Sequence, residues 1–298
     1  MDYPALTGFL NSLESYSQEL VQELRGGVKL CHYTTLDGAL GIIQGGDLWL
    51  SHLRFSNDDE EFIYGLRLVG EELEAQSAAA PADTERVARI RAVQALIEKQ
   101  RDQPIYICCF CEHDNLLSQW RGYADNGGGV SIEFDAQGFR QYSGEDSLLG
   151  LTRLWRVIYK EVSQRNVVKK ALDYPHWPSQ TQSDRVRYIA DALSFFLPTF
   201  KNADFVDEKE RRLIFTPDPV NPPKARFRVR GGMLVPYMRV RDMAGLPPDA
   251  PPRPLPIVRV LVGPGRHRLL NRDSLRMALD AHGYGAVSVE VSSTPYRG

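Results

Sequence analysis

Ser118-Gln119-Trp120-Arg121-Gly122-Tyr123 leads through Gly127-Gly128-Gly129 into Val130-Ser131-Ile132-Glu133-Phe134. The spacing predicts a short helix from Asn115 to Tyr123, a glycine turn, and a strand from Val130 to Phe134. Just upstream, Ile105 to Cys111 is an apolar run of strand length. Further towards the N-terminus, Val28 to Tyr33 reads as a strand, Thr34 or Thr35 as the cap of a helix over 36–44, and Leu48 to His52 as a second strand. Downstream, strands are predicted at 154–159, 208–215, 225–230, 233–240, 257–262 and 287–291, with a helix over 273–282. Pro247 to Pro256 reads as a proline-rich loop rather than a linker, because strands resume on both sides.

Helical periodicity marks three further stretches. Leu6, Phe9, Leu10, Leu13, Tyr16, Leu20 and Leu24 form one apolar stripe, closed by Gly26-Gly27. Residues 60–103 read as two helices broken at Ala80-Pro81, and 161–201 as a second helical insertion. Strands and helices mix without the regular alternation of a doubly wound fold. The prediction is therefore one α+β domain over 1–298, with an N-terminal helix over 1–27 and insertions at 60–103 and 161–201.

The chain has 298 residues, 43% of them hydrophobic, which is enough for a sizeable core. Its net charge is -2, unevenly spread. Lys224 to Arg276 holds 12 Lys/Arg against 3 Asp, a balance of +9, and leaves -11 for the rest. Such a basic segment suits a pyrophosphate or an anionic macromolecule, and equally an arginine-rich exposed strand face. Cys31, Cys108, Cys109 and Cys111 cluster in strand-like runs and fit a reducing compartment better than a disulfide framework. With no apolar run of about 20 residues and no basic, apolar leader, the setting expected is the cytoplasm and no membrane. Leaderless secretion would leave no mark in the sequence.

Three separated segments carry candidate chemistry: Cys31-His32-Tyr33-Thr34-Thr35, the Trp120/Tyr123 helix, and Glu208-Lys209-Glu210-Arg211-Arg212-Leu213. A histidine can hydrogen-bond sugar hydroxyls, aromatic faces attract a flat cation, and a carboxylate stabilises an oxocarbenium-like transition state. That set suits NAD+. Trp120 and Tyr123, three apart on a helix, share a face; Phe110 ends the preceding strand and could close the other side of the ring. The same aromatics would serve to pack the helix. Glu208 and Glu210, two apart on a predicted strand, would point the same way, or would form a solvated edge paired with Lys209, Arg211 and Arg212. His52, His113, His176, His267 and His282 read as surface or packing residues. Cys108-Cys109-x-Cys111-x-His113 lacks a second ligand pair, so no metal is expected. Gly263-Pro-Gly265 is too short for a dinucleotide fingerprint, and no nucleophile elbow occurs.

Read in order, His32-Tyr33-Thr34-Thr35, Asn57-Asp58-Asp59-Glu60-Glu61, Asn115 through Phe134 and Glu208 through Leu213 resemble a widespread, poorly characterised bacterial family. Its motif order is similar to the ADP-ribosyltransferase superfamily of the diphtheria-toxin and poly(ADP-ribose) polymerase type. That resemblance implies a split β-sandwich of two small sheets around an NAD+ cleft and a His-Tyr-Glu triad. By it, His32 holds the adenosine ribose, Tyr123 stacks on nicotinamide, Glu210 stabilises the ribosyl cation and Glu208 serves the acceptor. Tyr33, Thr34, Asn57, Asp58, Phe110 and Trp120 join the NAD+ site. Arg211 and Phe205 stand where tryptophans are common in the family. The activity implied is mono-ADP-ribosyl transfer from NAD+ to a protein or nucleic-acid acceptor, by a toxin, effector or defence factor with a cognate antitoxin or immunity protein as a candidate partner. NAD+ hydrolysis, or NAD+ binding without turnover, are the alternatives.

Overall fold

The capping chemistry at Thr35 fixes the first strand–helix junction. Its hydroxyl accepts the Gly38 N–H at 3.1 Å, so Thr35 rather than Thr34 is the N-cap. Gly46 ends that helix in left-handed backbone, φ 57°, with its N–H on the Ile42 carbonyl at 2.9 Å.

The computed structural model describes residues 3–13, 29–55, 59–142, 150–178, 181–243 and 254–295. In chain order they form α1 (Tyr3–Ser12), β1 (Lys29–Thr34), α2 (Leu36–Gly45), β2 (Trp49–His52), α3 (Asp59–Ala79), α4 (Thr84–Lys99), β3 (Tyr106–Cys111), α5 (Leu117–Tyr123) and β4 (Val130–Asp135). Then follow β5 (Gly150–Arg156), α6 (Glu161–Asp173), α7 (Gln182–Phe196), β6 (Glu210–Pro217), β7 (Arg226–Arg230), β8 (Met233–Arg239), a single turn α8 (Val240–Met243), β9 (Ile257–Val262), α9 (Arg268–Ala281) and β10 (Ser288–Val291). The class is mixed α+β. Tyr16 to Gly27 of the expected first helix, and most of the proline-rich loop, lie outside the described residues.

The chain divides into two compact units, 1–23 with 53–105 and 157–206, and 24–52 with 106–156 and 207–298. The first gathers the three stretches read as helical. Phe9 of α1 is fully buried against Tyr174, Trp177 and Phe196, at ring distances of 5.5, 5.1 and 6.3 Å. Gln164 of α6 is fully buried; its amide nitrogen donates to the carbonyl of Lys201 at 2.9 Å and its oxygen accepts from Tyr64 at 2.9 Å. The buried Lys201 ammonium meets the Glu61 carboxylate at 2.5 Å.

The second unit is built on a ten-stranded sheet, antiparallel except for the parallel pair β9–β10. Its order is β10-β9-β4-β1-β3-β2-β8-β7, with β6 on the other edge of β3 and β5 beyond β6. In place of the two small sheets expected, the described strands form one sheet, continuous through β3. One face is the main core: Leu30, Phe110, Ile132, Phe134, Leu213 and Val260 pack there under Ile42 and Ile43 of α2 and Leu275 and Leu279 of α9. Each such side chain contributes about 1.5–3 kcal/mol on burial. A smaller cluster, Cys31, Tyr33, Cys111, Trp120, Ala124 and Leu261, seats α5 on the opposite face. Among the described residues, no helix is long and apolar enough to cross a membrane.

Candidate functional site

β3 carries two strands along one edge. β1 pairs with it only at Cys31↔Cys111, while β2 pairs at Ser51↔Ile107 and His52↔Tyr106. Between those contacts the edge beside Cys108 and Cys109 has no strand. His32 fills part of the opening: its Nδ1 lies 2.9 Å from the Cys109 carbonyl oxygen. A carbonyl only accepts, so Nδ1 carries the proton and Nε2 keeps its lone pair. Burial, opposed by that hydrogen bond and helped by the fields of Arg228 and Arg230, pulls the His32 pKa below 6.5, so the ring is neutral at pH 7.

Cys109 is the exposed position in a strand whose other residues are buried. Its surroundings nonetheless push the thiol well above its ordinary value, burial first and the Glu210 charge second. The β3–β6 register places its side chain on the same face as Glu210 and Arg212. The Cys109 carbonyl thus meets His32, whose ring lies beside Cys108 Sγ at 3.9 Å and Phe110 at 5.9 Å, while the Cys109 side chain lies on the opposite face with Arg212 and Glu210. Nothing in the cysteine spacing singled out Cys109; only its pairing with β6 gives it this place.

β6 begins at Glu210, and the register Cys111↔Glu210, Cys109↔Arg212 sets Glu210 and Arg212 on one face. Arg212 grips Glu210 with two hydrogen bonds, Nε to Oε1 at 2.7 Å and Nη2 to Oε2 at 2.9 Å, and both residues are buried. Glu208 does not share that strand, contrary to the expectation from its spacing. Residues 203–208 form a 3₁₀ turn and Lys209 sits at φ 46°, which breaks the two-residue alternation. Half-buried Glu208 instead accepts from the Tyr123 hydroxyl at 3.1 Å. Both carboxylates act on Cys111, raising its thiol to about 11, after burial and Glu112.

The other aromatic candidates are not disposed as expected. Trp120 is fully buried, edge-on to Tyr33 at 4.9 Å, with its indole N–H on Asn115 Oδ1 at 2.8 Å, so it has no face for a ligand. Phe110 points into the main core between Phe134 and Phe139 and cannot close over a ring beside Tyr123. Tyr33 is a tether: its hydroxyl donates to the His113 carbonyl and accepts from Leu116 N–H, both at 2.9 Å. Thr34 is half-buried at the end of β1, and Asn57 and Asp58 lie outside the described residues.

After α5 the backbone takes three successive left-handed residues, Asp125 (φ 47°), Asn126 (φ 49°) and Gly127 (φ 86°). Two of these are not glycine, and such strain is held only where surroundings over-determine it. Gly263 and Gly265 supply that support, their N–H groups bound to the Gly129 and Gly127 carbonyls at 2.9 Å. A Cβ on Gly263 would fall 2.4 Å from Gly127 O, so the Gly263-Pro264-Gly265 motif serves close packing.

Arginines mark two further parts of this unit. Arg259 of β9 binds Glu133 at 2.8 Å, Glu290 at 3.0 Å and Asp114. Arg228 of β7 lies over the Trp49 and Tyr237 rings, 5.3 and 5.8 Å from their centroids, and donates to Ser51 Oγ at 2.7 Å. No group of three or more metal-ligating side chains occurs among the described residues.

Residues 119–213 match a family described as a protein of unknown function, DUF2971. The match runs from α5 to the first four residues of β6 and so includes Trp120, Tyr123, Glu208 and Glu210 but not His32. No curated protein and no solved structure matches the chain.

Proposed function

We propose that the sheet unit is a mono-ADP-ribosyltransferase whose NAD+ cleft is the opening between β1 and β2. The observation that carries the reading is the buried Glu210 carboxylate, gripped by Arg212 on the face of the sheet that also carries Cys109, with the Tyr123–Glu208 pair near Cys111; His32 stands at the Cys109 carbonyl, its ring on the Cys108 and Phe110 side of β3. His32 Nε2 accepts a ribose hydroxyl, and Tyr123 presents its ring to nicotinamide. The bond between C1′ and the nicotinamide nitrogen breaks, its electron pair leaving with neutral nicotinamide. Glu210, held in place by the two Arg212 hydrogen bonds, stabilises the ribose through its 2′-hydroxyl as positive charge develops. An acceptor oxygen or nitrogen on a protein or nucleic acid then bonds to C1′ and gives its proton to Glu208. A role as toxin, effector or defence factor and a neutralising partner belong to the same proposal.

A second reading, an NAD+-binding module without turnover, draws support from the Arg212 fork, which balances the charge that cation stabilisation needs. Incubation with NAD+ labelled in the adenylate, plus lysate with protease and nuclease controls, separates the two. Label on a macromolecule together with free nicotinamide supports the transferase. Free ADP-ribose alone indicates hydrolysis, and NAD+ recovered intact after binding supports the module.

A further inference from the structure

Arg226, Arg228 and Arg230 alternate along β7 and so share one face of the sheet. Arg226 is neutralised by Asp242 at 2.9 Å. Arg228 and Arg230 have no carboxylate partner among the described residues. Arg228 is nevertheless half-buried, and its orientation is fixed. Trp49 and Tyr237 stack at 4.5 Å and 28°, the guanidinium lies over them, and Ser51 Oγ holds one nitrogen. Its Nε is buried without a hydrogen-bond partner. Burial first, and then the like charge of Arg230, pull the guanidinium below its ordinary value.

A partly desolvated cation beside a second cation, with an unused donor and no counter-ion, is an unfavourable arrangement for a purely structural residue. Stacking on two rings leaves the in-plane N–H edge of Arg228 for an oxyanion, the geometry that forked recognition uses. Arg230 lies two residues on, about 6.6 Å along the strand, so two positive charges face a ligand of matching length. Ser51, the hydrogen-bonded partner of Arg228, pairs with Ile107, two residues from Cys109.

We propose that Arg228, held by Trp49, Tyr237 and Ser51 and assisted by Arg230, is the binding site for the diphosphate of a dinucleotide. The inference rests on the NAD+ reading above and names the part of the protein that holds the anionic centre of that ligand. It places the ADP-ribose moiety along β2, β8 and β7, with the reacting ribose at Cys109 and Glu210.

The test measures ADP-ribose binding by calorimetry to the full chain and to Arg228→Gln, Arg228→Lys and Arg230→Gln, with inorganic diphosphate as competitor. Charge-assisted hydrogen bonds of this kind are worth about 1.5–3 kcal/mol, so Arg228→Gln should weaken ADP-ribose roughly tenfold to a hundredfold. Arg228→Lys keeps the charge but loses the fork and should also weaken it. Exposed Arg230→Gln should do so to a smaller degree, and serves if Arg228 variants melt early. Diphosphate should compete in the parent and not in Arg228→Gln. Parent-like ADP-ribose affinity in both Arg228 variants overturns the site. So does loss confined to a single-stranded oligonucleotide, which would make β7 a nucleic-acid surface. Nicotinamide release with an unchanged KM in Arg228→Gln removes the diphosphate site and leaves the transferase reading standing. ADP-ribose binding that depends on Arg228, with no nicotinamide release, does the reverse.

Discussion

Two arginines on opposite arms of the sheet, Arg259 on β4–β9–β10 and Arg228 on β2–β8–β7, sit in opposite electrostatic settings. Arg259 on the first arm faces Glu133, Glu290 and Asp114, and Lys29 adds to the same network at 3.6–3.7 Å. Arg228 on the second arm faces two rings and a hydroxyl, with one donor unused. A closed ion network is finished by the fold itself. Arg228, kept half-buried, has no carboxylate partner among the described residues. The contrast sets the fold's own ion network against the place proposed for a ligand.

The largest effect on stability is expected on the closed side. Trp120 fills the cluster over Cys31, Tyr33 and Leu261, so Trp120→Ala should destabilise by about 3–5 kcal/mol, read from chemical denaturation. A loss under 1 kcal/mol would mean that the tryptophan is not the packing residue described. Next, Arg259→Met leaves three carboxylates and should cost about 1.5–3 kcal/mol, reduced by the solvent that reaches Glu290. Arg228→Gln, by contrast, should shift stability by no more than about 0.5 kcal/mol. Equal losses at the two arginines would erase the distinction between the arms.

The smallest effect is a pH slope. The folded His32 pKa lies below its ordinary value of 6.5, so the unfolded chain binds a proton first as pH falls. The stability this gives is fully present above pH 6.5 and is lost as pH drops through the folded pKa. His32→Gln should therefore flatten the denaturation midpoint against pH below 6.5, and an unaltered slope would show that His32 titrates normally.

Local chemistry made much of this legible in the sequence. The Thr35 cap, the break between α3 and α4 at Ala80-Pro81, and the turn into β4 follow from short-range rules. The site was legible in its components more than in its assembly. His32 reaches Cys109 across 77 positions, and Glu210, which takes Arg212 from its own strand, shares a face with Cys109 only through the β3–β6 register. Lys209 shows why spacing misled for Glu208: one residue in left-handed backbone cancels the alternation on which the argument stood. For Trp120 and Phe110 the sequence leaves packing and stacking both open, because an aromatic at the end of an element suits a core and a ligand site equally. Which it serves depends on the strand across from it.

The account turns on Glu210, the buried carboxylate that begins β6. Its most direct test is nicotinamide released from NAD+, quantified by chromatography, for the parent and for Glu210→Gln, with NAD+ affinity measured in parallel. Removing one well-placed electrostatic contact typically costs about 2.7–4 kcal/mol. Release should therefore fall roughly a hundredfold to a thousandfold, with affinity nearly unchanged. Parent-like release from Glu210→Gln, or no release from the parent at all, would contradict the proposed chemistry.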